Sequence, residues 1–215
     1  MDLEEKMKVN KRYIRDMVAQ GKHLRGFSFF DLTPKQVVFM IDAVVNKIKL
    51  QMKTKNIPYF EEGWAKDLKR NNRKIGVLEE VVIHIEDKLS QERYFTIKHN
   101  VRGGPVYYPF FKRIVMPKLC QFYDSKIYYK TLLHEYCHAI CDLSCVKLGD
   151  IAPHREEVLV ELCALIICYS CGVDVWLDSL SYISDYYENK NRSFDSYWND
   201  ICRYAYSVLS WINDY

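Results

Sequence analysis

The chain has 215 residues, of which 49% are hydrophobic and 27% charged, with 8 Gly and 6 Pro. That balance excludes a disordered chain and the collagen-like or linker-rich classes, and fits one domain of ordinary size or one domain with a helical appendage. The net charge of +3 is uneven: residues 1–75 hold 17 Lys and Arg against 9 Asp and Glu, and residues 76–215 hold 14 against 19.

The first 20 or so residues read as a basic helix with weak apolar spacing at Met7, Ile14, Met17 and Val18, broken by Gly21 and Gly26. Thr33 and Pro34 then supply an N-cap followed by Pro at the first helical position. Val37, Val38, Ile41, Val44, Val45, Ile48 and Leu50 keep a roughly 3.6-residue spacing to about Lys53. Ile57-Pro58 is expected to end that helix, because Pro disfavours a helical predecessor. A basic run follows at 66–74 (KDLKRNNRK), near Phe60 and Trp64. Its simplest reading is a solvated helix end; basic and aromatic groups together could also grip a phosphate backbone. Another helix is predicted over 76–89.

Residues 93–98 (RYFTIK) predict a short strand and Gly103-Gly104 a turn. Residues 106–116 predict one strand interrupted by Pro109, which places it at a sheet edge or bulge. The remainder is helical: about 125–146, 153–172, 176–187 and 194–213.

No apolar run approaches the ~18–20 residues that a membrane span needs. The first 16 residues are charged and show no apolar signal-peptide core. The sequence therefore predicts no membrane partner and a cytoplasmic location. In that reducing setting the eight cysteines stay free or bind metal. Cys168 and Cys171 form a C-x-x-C that could be half of a second metal site, although both lie in an apolar helix.

The segment that carries chemistry is His134-Glu135-Tyr136-Cys137-His138, an H-E-x-x-H on a predicted helix. Residues four apart share a helix face, so two imidazoles can bind one Zn2+. Glu135 is then placed to act as general base on a water. A catalytic zinc site needs a third protein ligand. The next helix contains Glu157 and Glu161, four apart in a stretch otherwise almost wholly apolar. A carboxylate buried there is costly unless it is paired or bound to metal. Glu157 is the predicted third ligand, with Glu156 and His154 as alternatives. Glu161 is predicted to accept the far N–H of a ligand His, His134. Peptide hydrolysis also needs a proton donor or oxyanion partner; Tyr182, Tyr186, Tyr187 and His154 are candidates, none preferred.

These residues resemble a known family. Ile114, Met116, Pro117, Phe122, Tyr128, Tyr129 and Thr131, then His134, Glu135 and His138, then Arg155, Glu156, Glu157 and Glu161, fall in order as motifs of a zincin-like metallopeptidase domain. It is the domain of ArdC-type antirestriction proteins and phage polyvalent proteins. The resemblance covers about 105–212. It implies zinc-dependent hydrolysis of a protein or peptide substrate, and a small sheet packed on the active-site helix. The family often has Trp-Thr-Gly or Ser-Thr-Gly after the second His, where this chain has Ala139-Ile140-Cys141. The expected fold is α+β: mostly helical, with a small mixed or antiparallel sheet on the H-E-x-x-H helix. The expected division is a basic helical region, 1–75, and a zincin-like metallopeptidase domain, 76–215. The alternative to a peptidase is a non-proteolytic zincin fold that binds DNA or a protein partner through the basic N-terminal third.

Overall fold

The computed structural model of the protein describes residues 10–22, 29–54, 74–92, 94–99, 103–143, 151–187 and 194–214. The basic run at 66–74 lies outside these residues except for Lys74. The chain divides into two compact units, one formed by Met1–Phe60 with Asp150–Tyr215, the other by Glu61–Gly149.

The first unit is helical. Helix α1 spans Lys11–Ala19 and α2 spans Pro34–Lys53. The start of α2 follows from its sequence. The Thr33 side chain accepts the Gln36 N–H at 3.4 Å, and Gln36 Oε1 accepts the Thr33 N–H at 2.9 Å. This reciprocal capping box satisfies amide donors that have no partner within the helix. Val37, Met40, Ile41, Val44 and Ile48 form its buried stripe. Lys47 covers the end of α1, donating to the Val18 carbonyl at 2.8 Å.

Three further helices complete this unit: α5, α6 and α7, spanning Pro153–Ser170, Trp176–Tyr186 and Phe194–Ile212. Every residue of α5 from Val158 to Ser170 is buried. A helix apolar on all sides must be surrounded, and α2, α6 and α7 pack against it. Tyr169 donates from α5 to the Met17 and Lys22 carbonyls, closing the C-terminal end of α1.

The second unit holds α3 (Gly76–Ser90), the strands β1 (Thr96–His99), β2 (Val106–Tyr108) and β3 (Arg113–Met116), and helix α4 (Ser125–Leu143). The strand order is β1-β3-β2, with β1 parallel and β2 antiparallel to β3, so the sheet is mixed. The single strand expected over 106–116 is in fact two strands. Pro109 cannot continue the ladder and opens a short 3-10 turn, Pro109–Phe111. Lys112 then takes a left-handed conformation (φ 47°) that turns the chain back into β3. Helix α4 packs on β2, β3 and α3. The core of this unit is Leu78, Val81, Ile85 and Leu89 against Ile114, Met116, Leu133, Tyr136 and Ile140. Among the described residues no helix is long and apolar enough to cross a membrane.

Candidate metal centre

Helix α4 begins at a local signal. The carboxylate of Asp124 accepts the Lys126 N–H at 3.0 Å, satisfying a first-turn donor where negative charge is favoured. From there to Leu143 the sequence has neither Gly nor Pro, and the helix runs unbroken. Tyr128, Leu132, Leu133, Tyr136, Cys137 and Ile140 anchor it in the core. Tyr136 also donates to Glu86 of α3. Burial, and then the neighbouring Glu86 charge, push the Tyr136 hydroxyl well above its ordinary range, so it stays a donor.

On this frame the two predicted histidines stand one turn apart. The His134 and His138 rings have centroids 4.9 Å apart with planes at 69°. His134 is 6% and Glu135 7% exposed, while His138 is half-buried. Polar groups drawn so far into an apolar helix need partners. Two imidazoles this close on successive turns suit one cation, because neutral imidazole donors converge on it without adding charge. The residues present therefore fit the metal that the motif implies.

The two carboxylates predicted on the next helix both lie on α5. Glu157 is half-buried and Glu161 is 1% exposed. Tyr182 of α6 donates to Glu157 Oε2 at 2.6 Å, and its ring stacks on Tyr186 with centroids 4.7 Å apart and planes at 24°. Burial first, then the Glu157 carboxylate, raise the Tyr182 hydroxyl far above the usual phenol range. The neighbouring Arg155 pairs with Asp200 at 3.1 Å and lies over the Tyr197 ring.

His134, Glu135 and His138 thus share one face region of α4, and Glu157 and Glu161 share α5. Two features were missed in the sequence. One is Asp142, a turn beyond His138, which accepts from Tyr107 at 2.6 Å and from Lys112 at 2.7 Å. Its spacing from His138 was visible, but its partners lie 30 and 35 residues away. The other is the Tyr182–Glu157 bond, across 25 residues. Among the described residues no disulfide forms, and no cluster of three potential ligands forms around Cys168 and Cys171.

A profile of the zincin-like metallopeptidase family matches residues 85–189. That segment, with the small mixed sheet on its H-E-x-x-H helix, is a zincin-like metallopeptidase domain, as the ordered motifs led us to expect. A zincin-like metallopeptidase family implies a metal. Among solved structures, the Mn(II)-bound crystal structure of the antirestriction protein ArdC from the R388 plasmid is similar to this chain, at 20% identity and a TM-score of 0.45. The similarity covers 72% of this chain and 58% of that one, so the chain spans less than two thirds of that protein. No curated protein matches the sequence.

Proposed function

We propose that the protein is a zinc-dependent metallopeptidase, with His134, His138 and Glu157 as ligands and Glu135 as general base. The observation that carries this reading is the imidazole pair on α4, 4.9 Å apart, with a buried carboxylate at the intervening position 135. When bound, the metal supplies a Lewis acid that polarises the scissile carbonyl and acidifies water. The two imidazoles and the Glu157 carboxylate bring one negative charge to a divalent cation, the donor set of a catalytic rather than a structural zinc site. Zinc suits this nitrogen-rich set. Glu135 takes the proton of the attacking water and passes it to the leaving amine. Its poor exposure keeps bulk water from competing for that proton. Glu161, one turn beyond Glu157, fixes the orientation of a ligand histidine, His134, by accepting its second N–H.

The test is metal content with and without each ligand. Wild-type protein purified without added zinc is expected to carry about one equivalent, and His138→Ala and Glu157→Ala close to none. A wild-type protein that binds no zinc from a micromolar supply refutes the reading. The excess positive charge of residues 1–75 favours a second reading, binding of nucleic acid without peptide hydrolysis. A DNA titration over a range of salt separates the two: absence of binding at low salt removes it.

A further inference from the structure

We infer that Tyr182 is a positioning residue that holds the Glu157 carboxylate in the orientation a metal requires, and is not the proton donor of the reaction. The inference rests on Glu157 being a metal ligand, as proposed above. A carboxylate on a flexible side chain rotates about its last bond, and a cation must stop that rotation at an entropic cost. Here the cost is met in advance. Tyr182 Oη donates to Oε2 at 2.6 Å, a charge-assisted distance, which fixes the plane of the carboxylate before any cation arrives.

The donor is itself fixed. Helix α6 buries Trp176, Ser179, Leu180 and Ile183, so its inner face is set by packing. Tyr182 lies beside that face, and its ring is stacked on Tyr186, one turn further along the same helix. The turn before α6 is also defined. Gly172 adopts a left-handed φ of 76°, and Asp174 accepts the Trp176 N–H at 3.0 Å. The result is a relay of ring stack, phenol and carboxylate, the outer-layer arrangement that tunes ligand geometry in metal sites. A hydroxyl already committed to a ligand oxygen is poorly placed to protonate a leaving group as well.

The experiment compares full-length wild type, Tyr182→Phe and Glu157→Ala. Zinc affinity is read by competition with a chromophoric chelator, and peptide hydrolysis is measured as zinc is added up to saturation. Tyr182→Phe is expected to bind zinc about 10–100-fold more weakly. Its metal-free melting temperature should stay close to wild type, and its hydrolysis should rise with added zinc over the range in which its site fills. A variant that stays inactive with its zinc site full overturns the inference, because Tyr182 then acts in the chemistry. A general structural role would lower the metal-free melting temperature together with the affinity, and that result overturns the inference. So does Tyr182→Phe that binds zinc as tightly as wild type, whether or not kcat falls. Glu157→Ala reports separately on the ligand assignment: if it keeps wild-type zinc affinity, Glu157 is not a ligand, whatever Tyr182→Phe does.

Discussion

Tyr107 donates its phenolic hydrogen to Asp142 at 2.6 Å, and this bond ties the edge strand β2 to helix α4 one turn beyond His138. Lys112, in the connection between β2 and β3, reaches the same carboxylate oxygen at 2.7 Å. The histidine helix is therefore clamped to the hairpin by one acceptor and two donors of different worth. Tyr107 is 7% exposed, so its hydroxyl loses a partner that water does not readily replace. Lys112 and Asp142 are each about one-third exposed, and such a pair contributes little. Asp142→Ala should cost roughly 1–3 kcal/mol in urea unfolding. Lys112→Met should cost about 0–1 kcal/mol. A larger loss for Lys112→Met than for Asp142→Ala would show that the ion pair, not the phenol, holds the hairpin.

The capping box of α2 makes a second, purely local prediction. Thr33→Ala removes the acceptor for the Gln36 N–H and leaves the buried Gln36 side chain with half of its reciprocal arrangement. The expected loss is about 1 kcal/mol, and Thr33→Ser should recover most of it. Equilibrium denaturation of the two variants decides this. Equal losses would mean that the Thr33 methyl, and not the hydroxyl, matters.

Those two sites also mark what was legible in the sequence. Helix α2 was readable to its ends because every signal was local: Thr at the cap, Pro next, an apolar stripe at 3.6-residue spacing. The H-E-x-x-H was readable for the same reason, since i and i+4 must share a face of any helix. The extent of the sheet was less so. Pro109 was recognised as a ladder breaker, yet a bulge and a reversal break the ladder alike, and only the left-handed Lys112 makes it a reversal. The spacing of Asp142 from His138 pointed to no partner, and Tyr182 was one of four candidates for a proton donor, none preferred. Their meaning lies in partners brought close by packing, and single-chain periodicity contains no information about that.

Burial of phenols and of one thiol makes the fold sensitive to alkali. Tyr128 and Tyr169 are each pushed up to about 12 from an ordinary 10.0, chiefly by burial. Cys202 is raised to about 11 from 9.0 for the same reason. In each case the folded protein holds a proton that the unfolded chain has released, so stability falls as pH rises. The contribution is complete below about pH 9 for Cys202 and below about pH 10 for the tyrosines, and is lost by about pH 11 and 12. Denaturant midpoints measured from pH 8 upward should decline through this window. Tyrosinate absorbance should show a fraction of the 17 tyrosines ionising only with unfolding. Tyr169→Phe should flatten part of the decline, and it should also weaken the protein at neutral pH, because the Met17 and Lys22 carbonyls lose the bond from its hydroxyl. A midpoint that rises with pH contradicts the direction of all three shifts.

Glu135 can be separated from the metal by a substitution that keeps its shape. Glu135→Gln preserves volume and one acceptor oxygen, puts an amide donor in place of the other, and cannot accept a proton from water. The residue is 7% exposed on the core-anchored α4, so an isosteric change should leave the imidazole pair at its 4.9 Å spacing. Zinc content and melting temperature should match wild type. Hydrolysis of a peptide should fall by about 10²–10⁴-fold, the usual worth of a positioned base. His138→Ala should lose both metal and hydrolysis, because one imidazole and a carboxylate form an incomplete donor set. The two variants divide the possibilities cleanly. Hydrolysis retained in Glu135→Gln would remove the residue from the chemistry. Zinc lost in Glu135→Gln would make it part of the metal's support, and the base would then have to be sought on another element.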